Sequence, residues 1–440
     1  SPFMSEIEIN EKFEEALKRL NKSRSSIFIT GNAGTGKSTL LTHFQQTTKK
    51  SVVVLAPTGV SALNVGGQTI HSFFGFPPDI TPEKAARERP SKTLMKILEN
   101  LDVMVIDEVS MVRADLMDCI DVALRSFLNS YQPFAGIQMV FIGDLHQLPP
   151  VVVGQEEKER FKTEYASPYF FDAMVFQDAQ FDSLELQKIY RQKDNKFVNV
   201  LNKIRTNRAT PWDFDILNSR LLADPQKFQS SDHSYITLTT TNKAADTINK
   251  MRLERLDDRS EVYDAEYSGE FENRNHPTNA NLELKKGAQI MMLNNDMAGR
   301  WVNGSIGTIT KIDFDGGTAE DVLHVKLEGE EDIVMVKPHT WELHKYYWEA
   351  EKNEMKQETV GSFRQYPIRL AWAITIHKSQ GKTFDKVVID LGRGAFAHGQ
   401  VYVALSRCRS LEGLLLQTPI ENRHIWSNRR IDHFHRQMQA

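Results

Sequence analysis

The sequence predicts an α/β protein with two parallel-sheet units, a small excursion in the first and a small antiparallel β-barrel inserted in the second. Three observations carry this expectation. Apolar runs of strand length alternate with helical periodicity over residues 26–142 and again over 235–418. A glycine-rich turn ending in Gly36-Lys37-Ser38 stands between the first run and the first helix. About eighty residues, 284–364, break the second alternation with short apolar runs separated by glycine turns.

Taken in order, 26–30 reads as a β-branched strand, 38–46 as a helix, 51–56 as a second strand and 102–106 as a third. Residues 115–128 place Leu116, Ile120, Leu124 and Phe127 on one helical face. Residues 138–142 form a fourth strand. Between the second and third strands, 66–90 is rich in Gly, Pro and aromatics and reads as an excursion from the sheet. The second unit reads as a strand at 235–241, helices at 242–256 and 369–377, a strand at 386–391, a helix at 400–408 and a strand at 413–418. Within the insert, strands fall at 290–293, 304–312, 322–327 and 332–336. The implied division is 1–64 and 91–182 for the first unit around a wedge-like 65–90, and 183–283 and 365–440 for the second around 284–364.

Composition fits this picture. The 440 residues are 40% hydrophobic and 25% charged, which excludes disordered and collagen-like chains. No apolar run approaches the ~18 residues of a membrane span, and the acidic N-terminus has no apolar core, so neither a membrane partner nor a signal peptide is expected. Ser1, Pro2 and Phe3 before Met4 read as an expression scar. Cys119 and Cys408 are too few for a disulfide framework or a metal site, which favours a reducing cytosol. A cytoplasmic, nucleoid-associated location is expected if the source is bacterial.

The net charge is −4, from 54 Lys plus Arg and 58 Asp plus Glu. A protein gripping duplex phosphates over its whole surface would be basic. The charge is uneven, however. Residues 261–361 hold 20 acids and 10 bases, whereas 393–440 hold seven arginines against three acids. Any nucleic-acid groove must be local.

Gly31-Asn32-Ala33-Gly34-Thr35-Gly36-Lys37-Ser38 fits G-x-x-x-x-G-K-[ST] after a strand and before a helix, the context that a phosphate-binding loop requires. Backbone N–H groups of Gly34, Thr35 and Gly36 would wrap a triphosphate, Lys37 would reach its β and γ phosphates, and Ser38, followed by Thr39, would ligate Mg²⁺. Asp107 and Glu108 end the third strand. An acid there holds the metal through its water, and Glu108 has the chemistry to deprotonate the attacking water. ATP and Mg²⁺ are therefore the expected ligands. A guanine-reading Asn-Lys-x-Asp is absent, because Asn242-Lys243-Ala244-Ala245-Asp246 is one residue too long. Gln147, in Gly143-Asp144-Leu145-His146-Gln147, ends the fourth strand where a γ-phosphate sensor would sit. Arg191 and Arg407 are candidates for positive charge on the transferring phosphoryl group. Both lie in the second half, which would place the nucleotide in a cleft between two units.

The ordered segments GNAGTGKST, VIDEVSMV, GDLHQLPPV, IYRQ, LTTTNKAADTIN, AITIHKSQGKTFDKVVIDLG and VYVALSRCRS resemble the helicase motifs of the Pif (petite integration frequency) family of superfamily one, the branch that also contains RecD. The resemblance spans about residues 25–420, and 115–127 is similar to the family's extra signature stretch. It implies two RecA-like domains with ATP between them, single-stranded DNA across their tops, and 5′→3′ translocation with duplex unwinding. Gly36, Lys37, Ser38, Asp107, Glu108, Gln147, Arg191 and Arg407 match nucleotide-site positions, and Gln380 and Gly381 match the motif coupling ATP to DNA. The insert resembles the family's Src-homology-like barrel. The family's long terminal extensions are absent. G-quadruplex and RNA–DNA hybrids are candidate substrates, with roles in repair, replication, recombination or telomere-type maintenance. Polarity rests on the resemblance alone.

Single-strand binders use helix starts, hydroxyls and amides on phosphates and aromatic faces on bases. Pro57, Thr58 and Gly59, then His71, Ser72, Phe73 and Phe74, are candidates in the first unit. Thr240, Thr241, Asn242 and Lys243, then His377, Lys378 and Ser379, are candidates in the second. Phe73 and Phe74 could equally be local core. His339 and Trp341 are weaker candidates, with barrel packing favoured for Trp341. The expected partner is single-stranded DNA and its junctions with duplex, bound by a monomer. Two other readings stay open at this point: a RecD-like translocase subunit of a recombination nuclease, and a non-motor phosphate-loop switch.

Overall fold

The computed structural model describes residues 11–31, 36–145, 150, 152, 154–186, 194–224, 235–271, 276–392, 400–424, 433 and 434. The first half is organised by six parallel strands: β1 (Ile27–Gly31), β2 (Val52–Ala56), β3 (Gln68–Thr69), β4 (Val103–Ile106), β5 (Gln138–Gly143) and β6 (Asp182–Leu186), in spatial order β3-β2-β4-β5-β1-β6. Every residue of β1, β4 and β5 is buried, as strands covered on both faces require. Alternate side chains go to opposite faces. Ile27, Ile29, Val105 and Val140 pack with Phe13, Leu20, Leu40 and Phe44 of the helices Glu11–Lys22 and Lys37–Thr47. Phe28, Ile106 and Phe141 pack with Ile120, Leu124 and Phe127 of the helix Ala114–Phe127. Leu116, expected on that face, is only partly buried. The same helix buries three acids, each with donors: Asp118, for example, accepts from the Tyr165 hydroxyl (2.7 Å) and from the N–H groups of Met174 (2.9 Å) and Val175 (3.0 Å).

The expected excursion at 65–90 is continuous with this body. β3 extends the sheet beside β2, and Ile70, Phe73, Phe74, Phe76 and Ile80 share one core with Phe28 and Leu55. The aromatics there fill a domain core, so Gly and Pro mark turns within it and not an exit from it.

In the second half, β7 (Ile236–Thr239) is followed by the helix Asn242–Glu254. The chain then departs through β8 (Glu261–Asp264), β9 (Glu266–Gly269), β10 (Asn281–Leu284), β11 (Gln289–Met292), β12 (Ile306–Asp315), β13 (Glu320–Leu327), β14 (Ile333–Val336), β15 (His339–Glu349), β16 (Glu354–Gln365) and β17 (Ile368–Leu370). It returns as β18 (Ala373–Thr375), β19 (Val387–Asp390), the helix Gln400–Ser406 and β20 (Leu414–Leu416). The parallel sheet runs β18-β7-β19-β20.

One expectation is corrected. Residues 369–377 are not a helix: Ile368–Leu370 pairs antiparallel with β11, and Ala373–Thr375 pairs parallel with β7. A short apolar run has no periodicity that separates buried strand from buried helix, and here ladder partners decided it. The insert is antiparallel, as expected, and is divided among several sheets. Among the described residues it forms a five-stranded sheet β14-β13-β12-β11-β17, a pair β8-β10 and a three-stranded sheet β15-β16-β9. It begins before residue 284, and its longest feature is the hairpin β15–β16, which the sequence reading left without elements. That hairpin carries Tyr346 into the core of the first half. No helix among the described residues is long and apolar enough to cross a membrane.

Candidate nucleotide site and nucleic-acid interface

Gly36 caps the helix Lys37–Thr47 at φ 97°, a left-handed value that favours glycine, and its carbonyl accepts from Leu40 N–H at 2.8 Å. Lys37 then opens the helix and its ammonium donates to the carbonyl of Gly31, at the end of β1. Ser38 is exposed beside it and Thr39 half-buried. Gly34 and Thr35 of the loop, with Gln147 and Arg191, lie outside the described residues.

β4 delivers Asp107 and Glu108 to the same end of the sheet, with Asp107 N–H donating to Leu55 O at 2.8 Å. Glu108 adopts φ 49°, ψ 42°, rare for a non-glycine residue, where the chain turns into the short helix Val109–Met111. β5 ends close by because Gly143 has no side chain. A Cβ there would lie 3.0 Å from Val109 Cγ1 and 3.3 Å from Ser110 N. Buried Asp144 follows and acts on Glu108.

Electrostatics follow from this crowding of acids. Burial, then the neighbouring charge of Glu108, pushes the Asp107 carboxyl up to about 7, with Lys37 opposing. Burial raises Glu108 too; Lys37 and Lys382 oppose and Asp144 adds to the rise. Two adjacent half-buried carboxyls with few cations are a site short of positive charge. Ser38 and Asp107 are hard oxygen donors, the set that suits a Mg²⁺ ion shared with phosphates. Among the described residues no group of three His, Cys, Asp or Glu could hold a metal alone.

From the second half come Arg407, Gln380, Gly381 and Lys382. Arg407 is 4% exposed, and its guanidinium donates to Val403 O (3.1 Å), Ser406 Oγ (3.0 Å) and Ser379 O (3.5 Å). It is thus tied to the 377–381 turn. Gly381 sits at φ 77° in that turn. Gln380 Nε2 lies 3.1 Å from His377 Nδ1, while its Oε1 is buried with no hydrogen-bond partner among the described residues. Lys382, which the sequence reading did not single out although it stands in the quoted segment 373–392, is half-buried, and its charge acts on Glu108.

The DNA-track candidates divide by exposure. Thr58 caps the helix Gly59–Val65: its hydroxyl accepts from Ser61 N–H at 3.2 Å, with Pro57 and Gly59 half-buried on either side. Thr241 does the same for Asn242–Glu254, accepting from Ala244 N–H at 3.2 Å, beside exposed Asn242 and Lys243 and half-buried Thr240. The two halves therefore present equivalent strand-to-helix turns. His71 and His377 are held below the usual histidine range, chiefly by burial. Lys378 is lowered by burial and then by Arg369. Three side chains are not available to a strand here. Phe73 is 6% exposed and packs edge-on against Phe74 (5.1 Å) and Tyr346 (6.1 Å), because it faces the first core. Phe74 is buried with it. Ser379 is fully buried and its hydroxyl donates to Ile376 O at 2.6 Å. Trp341 is buried among Phe271, Leu343 and Phe363, as barrel-type packing anticipated.

A family model described as PIF1-like helicase matches residues 7–212, and a second described as Helicase matches 346–438. The chain is 32% identical to the ATP-dependent DNA helicase Pif1 of Bdellovibrio bacteriovorus, over 99% of this chain and 93% of that one. It is 33% identical to the human ATP-dependent DNA helicase PIF1 over 92% of this chain, but spans only 60% of that longer protein. Among solved structures, Bacteroides Pif1 in complex with ADP-AlF4 superposes with a TM-score of 0.89 at 35% identity, covering 99% and 98% of the two chains. With that protein bound to single-stranded DNA the TM-score is 0.66 at the same identity and coverage. The motif order, the two parallel sheets and these likenesses together place the chain in the PIF1-like helicase family, among the ATP-dependent DNA helicases.

Proposed function

We propose that this chain hydrolyses ATP in the cleft between two RecA-like domains and uses it to move 5′→3′ along single-stranded DNA, unwinding duplex ahead. The observation that carries the reading is that Lys37, Asp107 and Glu108 act on one another at one end of the first sheet, with the charge of Lys382 from the second half also acting on Glu108. The relatives named ATP-dependent DNA helicase, and the Bacteroides relative bound to single-stranded DNA, support the substrate class.

Lys37 neutralises the β and γ phosphates, exchanging its bond to Gly31 O for them. Ser38 and Asp107 would hold a Mg²⁺ ion, which would supply positive charge to the phosphates. Glu108 accepts the proton of the attacking water. Gln147, Arg191 and Arg407 complete the γ-phosphate surroundings. The orphaned Oε1 of Gln380 gives the coupling turn, with Gly381, a polar atom to commit to nucleotide or water. Pro57, Thr58, Gly59 and His71 in one half, and Thr240, Asn242, Lys243, His377 and Lys378 in the other, grip successive phosphates. The five-stranded antiparallel sheet with its own core supports reading the insert as a Src-homology-like module.

The test is strand displacement on duplexes with a 5′ or a 3′ single-stranded tail, with and without ATP. Unwinding confined to 5′-tailed duplex, absent in Lys37→Ala, is expected. Unwinding from the 3′ tail would reverse the polarity; hydrolysis without displacement would favour the translocase-subunit reading.

A further inference from the structure

We propose that Phe434 is an anchor: it fastens the end of the second half into the aromatic core of the first, and so ties the two halves at a second crossing beside the one that the chain makes after β6.

Among the described residues, Ile420 is the last one packed in the core of the second half. Asn218, at the end of the helix Pro211–Asn218, holds its backbone on both sides, donating to Ile420 O at 2.9 Å and accepting from Ile420 N–H at 2.8 Å. Phe434, further along the chain, is 8% exposed and belongs to the core of the first half. Its ring stacks on Phe171, with centroids 4.3 Å apart and planes at 8°, and meets Phe28 and Phe170 edge-on at 6.0 Å each. Phe181 closes the socket at 6.2 Å. Stacked and edge-on contacts are the arrangements that aromatic quadrupoles favour, and burying the ring removes its apolar area from water. His433 beside it is exposed. Between Ile420 and Phe434 the chain therefore passes from one core to the other.

The place of the socket gives the contact a consequence. Phe28 is in β1 and Phe181 immediately precedes β6, so the anchor sits at the β1–β6 side of the first sheet. The chain leaves the first half from the same side, through β6. The insert hairpin is bonded at the other side, where Tyr346 meets β2. The second half thus holds the first at both sides of its sheet, by hydrogen bonds at one and by an aromatic ring at the other. An extended chain covers at most about 3.5 Å per residue. Residues 424 and 434 therefore cannot part by more than roughly 35 Å while the ring is seated, and residues 186 and 194, across the crossing after β6, by more than roughly 28 Å. Two short crossings at one side make a hinge that resists twisting between the halves, which a single crossing leaves free.

The experiment measures the distance between the halves in the full chain, without nucleotide or DNA, by single-molecule energy transfer between dyes on Tyr131→Cys and Trp212→Cys. These side chains are 96% and 70% exposed, one in each half, whereas Cys119 and Cys408 are buried. A second form carries a seven-residue recognition sequence of a site-specific protease in place of residues 426–432, so that the tie can be cut in the folded protein. The uncut chain should give one narrow distance distribution, and cutting should broaden it and lengthen its mean. Phe434→Ala in the uncut chain should do the same. Phe434→Leu, which refills part of the socket, should do so less. An unchanged distribution after cutting overturns the proposal, because Phe434 then does no more than fill the first core. An unchanged distribution in folded Phe434→Ala overturns it as well. If Phe434→Ala does not fold, the cut chain decides by itself.

Discussion

The phenolic oxygen of Tyr346 accepts a hydrogen bond from the backbone N–H of Val54 at 2.9 Å, joining residues 292 positions apart. Val54 lies in β2, whose outer neighbour β3 is only two residues long and pairs with Leu55 and Ala56. The Val54 N–H is left without a strand partner, and the insert hairpin supplies one. Tyr346 N–H in turn donates to Gln68 Oε1 at 3.0 Å, and Gln357 Nε2 to Gly66 O at 3.0 Å. The inserted module is in this way bonded to the edge of the first sheet.

Tyr346→Phe keeps the ring in its aromatic contacts and removes the acceptor. Leaving a buried N–H unpaired costs about 1–3 kcal/mol. The midpoint of urea unfolding should fall accordingly, and an unchanged midpoint would mean that water or a neighbour replaces the bond.

Glu108→Gln should retain Mg·ATP binding while turnover falls by ~10²-fold or more, because the amide cannot take the proton of water. Binding is read with a fluorescent ATP analogue and turnover by phosphate release. Collapse of ATP affinity would instead make Glu108 a metal ligand.

Gly143→Ala should damage catalysis more than stability. The new Cβ would press on Val109 and Ser110, which follow Glu108 directly. A displacement of the base by about 1 Å can cost on the order of 10²-fold in rate. Comparing kcat with the thermal midpoint separates the two effects; equal kcat at a lower midpoint would mean that the turn yields without moving Glu108.

Arg407→Ala should lower turnover much more than ATP affinity, and single-stranded DNA should stimulate it less. The guanidinium is the charge proposed for the transferring phosphoryl group and also bonds Ser379 O, so its loss loosens the coupling turn. Single-turnover hydrolysis with and without DNA is the measurement. Undiminished stimulation would remove Arg407 from the site.

Much of the active chemistry was legible in the chain because it is local. A strand, a Gly-Lys-Ser turn and a helix specify the Lys37 loop in consecutive residues, and an apolar run followed by Asp107-Glu108 specifies the acids. The helix caps at Thr58 and Thr241 were equally readable, since a cap needs only its own next few residues. Residues 369–377 failed for the opposite reason: their apolar run fits helix and strand alike, and β11 and β7, far away in sequence, chose strand. Phe73 reads equally as a DNA-facing aromatic or as local core, and its packing against Phe74 and Tyr346 decided for core. The hairpin β15–β16 had no signal in the sequence because its partners, β9 and the core of the first half, lie far away along the chain. The sequence by itself determined which residues are candidates to bind phosphate or accept a proton, and which start a helix. Only the tertiary structure decided which of them meet. Tyr346 reaches Val54 through packing between segments 292 residues apart, which no local pattern encodes.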